Sequence, residues 1–493
     1  MRRPIRVAVI GAGIVGASIA RVLSMFEDFE VDLLEREVDV GWGVSKANTG
    51  IIHAGYDDEP ELYPLRARLC VEGNKVWHRW AEELDIPIRW CGSLVLAFNN
   101  EEMKVLKELY DRGVRNRVRD LKIVEAEEIK TLEPNVSREA EAALWAPTAG
   151  QISPWDAVIA LVENSVMNGV RLRLSTEVRG IKIEGGCVRG LETNRGFIEA
   201  DFVINASGLY ADKIAEMAGV GGYRIKPRRG EYLIFDREAE PKVSRILFPT
   251  PTPISKGVVV TTTVDGNLMI GPSAQDLSED QREERANTRE GLDYVWESAS
   301  KLVEKLPPKS RVIRFFAGLR PEPTGGDFII RKYDEVFGFI DAAGMRSPGL
   351  TSAPAIAHMV LDILKSTLDT DFKPKKFWNP YRRRIKRFSE LTPEERSKII
   401  EEEPRYGRIT CIDEMVTEME IIEAIRRGAT TIDGVKFRTR ACMGICQGSS
   451  CMHKIALIIS RELKIPLWKV SIRGPGTEIG IGDIKSLFRR RKT

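Results

Sequence analysis

Residues 7–16, Val-Ala-Val-Ile-Gly-Ala-Gly-Ile-Val-Gly, admit very few folds. The run Val7–Ile10 has no polar face, as in a strand buried on both sides of a parallel sheet. Gly11, Gly13 and Gly16 follow at G-x-G-x-x-G spacing and lead into Ala17–Leu23, which has helical periodicity. A second apolar strand, Val31–Leu34, ends in Glu35. Strand, glycine turn, helix, strand and acid in this order form a dinucleotide-binding fingerprint. Gly11 permits the tight turn, Gly13 lets the backbone approach a pyrophosphate, and Gly16 lets helix and strand pack closely. The helix N-terminus offers N–H groups and a positive dipole end to phosphates. Glu35 is placed to accept hydrogen bonds from ribose hydroxyls. A lone glycine pattern would be weak; both strands and the acid strengthen it against the competing reading, a glycine-rich turn in an ordinary α/β unit.

The chain has 493 residues, room for two or three domains with cores of their own. Lys and Arg number 75 against 72 Asp and Glu, a balance that argues against nucleic acid as the main partner. Residues 1–5 are too short and too charged for a signal peptide, and no stretch approaches the roughly 20 apolar residues of a spanning helix. The expected location is the cytoplasm, with peripheral association at the inner face of the membrane as the alternative. Seven cysteines in such a setting are reduced, structural or metal-bound. Cys70, Cys91 and Cys187 are scattered and read as small buried side chains. Cys411, Cys442, Cys446 and Cys451 gather near the C-terminus.

Residues 41–55 are small, polar and glycine-rich, suited to lie against a flat ligand. Within them, Ser45-Lys46-Ala47-Asn48-Thr49-Gly50-Ile51-Ile52-His53-Ala54-Gly55 resembles a segment of the FAD-dependent glycerol-3-phosphate dehydrogenase and L-2-hydroxyglutarate dehydrogenase group. That group belongs to the D-amino-acid-oxidase-like flavoprotein superfamily. The resemblance implies that this segment runs past the flavin ring and that His53 faces the substrate as catalytic base. It also implies FAD contacts at Gly11, Gly13, Gly16, Glu35, Arg36, Ser45, Asn48 and Thr49. An imidazole takes a hydroxyl proton near neutral pH. The alternative is a histidine that hydrogen-bonds backbone or flavin without doing chemistry. Further along, the resemblance brings Val178 to the adenine and the turn Ala206-Ser207-Gly208 to the pyrophosphate. It implies a cofactor contact at Gly344, where a strand ends, and sets Gly349, Leu350 and Thr351 at the flavin carbonyl edge, where a helix N-terminus would stabilise anionic reduced flavin.

Residues 223–320 alternate strand-like runs with turns, an antiparallel pattern. Within and beyond them, Ala317–Thr324 resembles a family segment bordering the substrate pocket, which implies that Arg320 sits above the flavin, with Arg331 following. A phosphate or carboxylate needs the planar, bidentate donors that Arg supplies. Arg229 and Lys256 are weaker candidates, and Asp265 departs from relatives that carry His there.

Residues 372–387 are basic and 373–406 read as a linker, with a capping box at Thr392-Pro-Glu-Glu395. The run Arg489–Lys492 reads as a frayed tail. Four thiols between Cys411 and Cys451 could hold a [2Fe–2S] cluster or zinc. The segments 411–418 and 440–451 resemble the bacterioferritin-associated-ferredoxin-like domain of anaerobic glycerol-3-phosphate dehydrogenase large subunits. The family has Cys at the position of Asp413 and often Gly at that of Cys442, so either Asp413 ligates iron, or Cys442 takes its place, or the cluster is lost; thiolate suits cluster iron better, and the expected set is Cys411, Cys442, Cys446 and Cys451.

The expected architecture is an α/β FAD-binding Rossmann-like domain (residues 1–88, 149–222 and 326–372). An inserted α+β substrate domain with an antiparallel sheet (89–148 and 223–325) would interrupt it. A linker (373–406) and a small, mainly α cysteine-cluster domain (407–493) would follow. The resemblance implies oxidation of sn-glycerol 3-phosphate to dihydroxyacetone phosphate, with Arg320 and Arg331 on the phosphate. Electrons would pass through the cluster to a partner subunit or a quinone-linked acceptor. The alternatives are a 2-hydroxy-acid dehydrogenase such as that for L-2-hydroxyglutarate, an amino- or imino-acid dehydrogenase subunit, and a non-catalytic electron-transfer subunit.

Overall fold

The computed structural model describes residues 3–252, 256–483 and 485; the run Arg489–Lys492 lies outside the described residues. The chain divides into two compact units. One comprises Met1–Arg36 and Val40–Arg382, the other Glu37–Asp39 and Arg383–Thr493.

The first unit is built on two large sheets. One has six strands in the order Ile329–Lys332, Phe339–Ala343, Phe202–Asn205, Ile5–Ile10, Phe29–Leu34 and Arg171–Arg173. All neighbours run parallel except the antiparallel edge strand Ile329–Lys332. Its central strands are mostly apolar and buried, with Asp32, Asn205 and Asp341 as buried polar exceptions. Helix Ile14–Leu23 is buried along its whole length, which explains its small and aliphatic residues. The exception is Arg21, fully buried between the rings of Trp80 and Trp378, where Glu83 and Asn164 receive its donors.

The second sheet has nine strands. It takes Ser93–Ala97, Lys122–Glu125 and Ala142–Ala146 from one part of the chain and strands between Ile225 and Pro323 from another. Its longest ladder joins Ile225–Phe235 to Val312–Pro323 antiparallel. Phe235, Leu247, Val260 and Ile270 pack there against Val295 and Leu302, forming a core separate from that of the parallel sheet. The fold is therefore an α/β layer with a mostly parallel sheet, carrying an inserted, largely antiparallel sheet.

Residues 373–406, expected as a linker, are not a free tether. Residues 373–382 are fixed to the first unit: Asn379 O accepts from Asn164 and Asn168, Lys375 Nζ donates to Asn168 O, and Trp378 Nε1 donates to Ser24 Oγ at 3.1 Å. Of its basic residues, Lys373 pairs with Glu27 and Arg382 with Glu163. From Arg383 the chain is part of the second unit, including helix Pro393–Glu402 with the Thr392/Glu395 capping box. That unit is mainly helical, with Glu418–Arg426, Ile432–Thr439 and Met452–Leu463 around one apolar core. Among the described residues no helix is long and apolar enough to cross a membrane.

Candidate active site

The glycine turn is closed by backbone contacts that no side chain could share. Gly11 has φ +100°, and a Cβ there would lie 2.6 Å from Ala206 O. A Cβ on Gly16 would lie 1.9 Å from Gly11 O. The two turns expected at the pyrophosphate, Gly11–Gly16 and Ala206–Gly208, are thus adjacent. The second is held from behind, since Ser207 Oγ donates to Asn205 Oδ1 at 2.6 Å and Asn205 Nδ2 donates to Asp341 Oδ1 at 2.8 Å. Burial pushes the Asp341 carboxyl up. A Cβ on Gly208, φ +62°, would meet nothing within 4 Å, so the face of this turn is open. The helix begins at Gly13, which has no side chain to cap it, and Ile14 N donates to Ser45 Oγ at 2.9 Å. Two close-packed turns and an open glycine face beside a helix start have the shape that a dinucleotide pyrophosphate needs.

Glu35 Oε2 accepts from Ala12 N at 2.9 Å, so this carboxylate, expected at a ribose, holds the glycine turn. Its backbone bridges Arg173 O and Thr176 N, which brings the start of strand Val178–Glu184 beside it. Arg36 stacks on the Tyr210 ring and pairs with Glu283 at 2.6 Å. Asn48 closes its own loop, donating to Ser45 O and accepting from Gly50 N, both at 2.8 Å, and Thr49 O accepts from Gln151 Nε2.

His53 lies where this loop meets the start of helix Gly349–Leu368. Its N–H donates to Thr351 Oγ1 at 2.9 Å, and its carbonyl accepts from Asn74 Nδ2 at 3.0 Å. Helix Pro64–Glu83 can come this close because position 73 is glycine: a Cβ there would sit 2.1 Å from Thr351 O. Trp77 Nε1 donates to Leu350 O at 3.1 Å. Gly344 has φ +71°, and its Cβ would sit 2.7 Å from Pro323.

The imidazole is largely buried and held at both nitrogens. Asp57 Oδ2 is 3.3 Å from Nδ1, and Ser347 Oγ is 3.3 Å from Nε2. Lys256 Nζ is 3.1 Å from the same Asp57 oxygen. Burial alone would raise the Asp57 carboxyl, but Lys256 and His53 outweigh it and hold it well below the usual carboxylate range.

Strand Val312–Pro323 carries Gly318, Arg320 and Glu322 on one face, at alternate positions. Gly318 lies against the His53 loop, where a Cβ would be 1.9 Å from Ala47 O. Glu322 pairs at 2.7 Å with Arg346, the neighbour of Ser347. Arg320 stands between them. It donates to Ser273 O at 2.7 Å, and its buried Nε has no hydrogen-bond partner among the described residues.

Arg331 is not brought into this group. It lies on the edge strand of the parallel sheet, exposed, with Nη2 donating to Gly221 O and the guanidinium over the Tyr333 ring. Arg229 is buried and donates to Gln275 and Ala286. The sequence reading named neither Asp57 nor Ser347. Asp57 was visible as a carboxylate four residues after His53; Ser347 carries no local signal, being 294 residues away.

In the second unit, Cys411, Cys442 and Cys451 are buried, and Cys446 is half-buried. Cys442 Sγ lies 3.4 Å from Cys451 Sγ, and Cys411 bonds to Cys451 through their side chains. Cys446 Sγ lies 3.4 Å from Ser450 Oγ. The sulfurs of Cys411, Cys442 and Cys451 pack on one another, and no group of three or more His, Cys, Asp or Glu side chains among the described residues is laid out around a common metal position. The donors are nevertheless soft thiols brought into one small core, the chemistry that iron–sulfur clusters need.

Residues 6–363 match the family described as FAD dependent oxidoreductase. The chain belongs to that family. Its cofactor is FAD, and the cradle of Gly11, Gly16, Ala206 and Gly208 fits it. Residues 410–461 match the BFD-like [2Fe-2S] binding domain, whose cofactor is a [2Fe–2S] cluster. Among the relatives of this flavoprotein is glycerol 3-phosphate dehydrogenase of Caloramator mitchellensis, 43% identical over 97% of this chain and 99% of the relative. Glycerol 3-phosphate oxidase of Mycoplasma genitalium is 32% identical over 76% of this chain and 97% of its own. In three dimensions the chain is similar to dithionite-reduced L-alpha-glycerophosphate oxidase of Mycoplasma pneumoniae with FAD bound. That TM-score is 0.71, at 30% identity, covering 77% of this chain and 98% of the other.

Proposed function

We propose that this flavoprotein is a dehydrogenase that oxidises sn-glycerol 3-phosphate to dihydroxyacetone phosphate and delivers the electrons through its C-terminal [2Fe–2S] domain to a partner subunit or quinone-linked acceptor. The observation that carries this reading is the imidazole of His53, fixed by Asp57 on one nitrogen and Ser347 on the other, with the cations of Lys256 and Arg320 on the elements around it. The relatives named for glycerol 3-phosphate support the choice of substrate.

Oxidation of a secondary alcohol removes a hydride from carbon and a proton from oxygen. Bound FAD supplies the two-electron acceptor for the hydride. The proton is the task of this chain. Asp57 accepts the Nδ1–H, which leaves the Nε2 lone pair as the base; Ser347 Oγ marks the place of the substrate hydroxyl. When Nε2 takes the proton, the imidazolium lies against a carboxylate already charged. Arg320, with its unmatched buried Nε, and Lys256 are the donors for the phosphate. Lys256 touches Asp57, so the cation that receives the phosphate also shapes the field at the base.

Anaerobic addition of glycerol 3-phosphate to the purified holoenzyme, followed by flavin absorbance, tests this. Rapid bleaching by that compound, and not by L-2-hydroxyglutarate or L-proline, is expected. Bleaching by one of the other two alone would overturn the substrate, and none with any would place catalysis elsewhere.

A further inference from the structure

The C-terminal unit holds five candidate donors for a cluster with four ligand positions, and the coordinates sort them. Cys442 has φ +70°, the left-handed region that a glycine enters freely and a cysteine does not. It is buried, and its sulfur sits 3.4 Å from that of Cys451. The Cys442 N–H and that of Glu414 point at the Cys411 sulfur. Space for this side chain is kept by Gly448, whose absent Cβ would lie 3.0 Å from both Cβ and Sγ of Cys442. A left-handed residue with its thiol buried against that of Cys451, and its N–H on the Cys411 sulfur, is held there for its sulfur.

Asp413 does different work. Its carboxylate accepts the Cys446 backbone N–H at 2.8 Å, and Gly444 makes room for it, since a Cβ at that position would lie 2.3 Å from Asp413 Cβ. The carboxylate clamps the loop that carries Cys446.

Resting on the assignment of this module as a [2Fe–2S] domain, we infer that Cys442 is an iron ligand and Asp413 is not. The cluster is held by Cys411, Cys442, Cys446 and Cys451, and Asp413 is a positioning residue that fixes Cys446 through its backbone. Oxygen from a carboxylate is a harder donor than thiolate, and with three sulfurs in one core and Cys446 at its rim the softer set wins.

Two full-length variants separate the roles. Cys442→Gly removes the sulfur but relieves the left-handed backbone, so it folds at least as well as the parent. Asp413→Asn keeps an oxygen for the Cys446 N–H but removes the charged ligand. Iron and labile sulfide per chain are measured, with electron paramagnetic resonance of the reduced proteins. Cys442→Gly is expected to lose iron by at least about tenfold, the lower bound for disturbing even an outer partner of a metal site, or to show altered g values. Asp413→Asn is expected to keep the parent's iron and g values. Parent-like iron and g values in Cys442→Gly, or altered g values in Asp413→Asn, overturn the inference. A parent without iron would instead overturn the cluster itself. Bound FAD and the melting temperature serve as controls for folding.

Discussion

An imidazole can offer either ring nitrogen as base, and the partner on the other nitrogen decides which. At His53 that partner is Asp57, so Asp57→Asn is expected to lower kcat by about 10²-fold or more while FAD content stays unchanged. Steady-state kinetics with flavin quantitation check this, and an unchanged kcat would remove Asp57 from the mechanism. The sign of its pH dependence follows from its surroundings. Its carboxyl is held down by Lys256 and His53 against burial, so its contribution is complete above the free value of about 3.9 and fades only as pH falls through the lower folded value. The pH–rate profile should therefore show no limb from Asp57 in the mildly acidic range. The His53 loop was legible as a run of residue types, and Lys256 as a weaker candidate cation, whereas their meeting at Asp57 was not. Ser347 and Lys256 reach it only through tertiary structure, and nothing local in Arg331 reveals that its strand forms the outer edge of the sheet.

At the scale of elements, the strand–turn–helix at the N-terminus depends on one position above all. A methyl on Gly16 would overlap Gly11 O at 1.9 Å, so Gly16→Ala must spread helix from strand. A loss of about 3 kcal/mol and of most bound flavin is expected, read by denaturant unfolding and by flavin absorbance per chain. The outer side of the same sheet is tied by Asp32, buried on Phe29–Leu34 and bonded to Arg171 and Arg173 on the neighbouring strand. Burial raises this carboxyl, but the two guanidiniums prevail and its pKa is lowered. Asp32→Asn should cost about 1–3 kcal/mol at neutral pH, discounted because both arginines are half exposed. A depressed carboxyl stabilises above its unfolded pKa, so the two unfolding curves should converge below about pH 4. Glycine spacing and apolar runs announced this unit because its constraints are local. The second sheet was harder to read, since Ser93–Ala97 pairs in parallel with Ile246–Pro249, across a separation no periodicity encodes.

For the whole molecule, all the groups assigned to proton transfer and substrate binding, His53, Asp57, Lys256, Arg320 and Ser347, belong to the first compact unit, while the four clustered cysteines belong to the second. A chain ending at Arg382 should still have its flavin bleached by substrate but lose rapid reduction of a one-electron acceptor; stopped-flow traces of the two half-reactions separate these outcomes. Loss of the first with FAD retained would show that the second unit takes part in substrate oxidation. The strand order of the parallel sheet reaches further. Ile5–Ile10 is flanked on one side by Phe29–Leu34, but its other neighbour, Phe202–Asn205, is encoded about 200 residues later, and that strand's own neighbour, Phe339–Ala343, later still. At the roughly 5–20 residues per second of synthesis, a nascent chain carries this apolar strand half-paired for roughly 10–40 s. Such non-local pairing makes folding slow and leaves a sticky edge exposed meanwhile. The earliest part of the flavin cradle to be made thus waits longest for its partner strands.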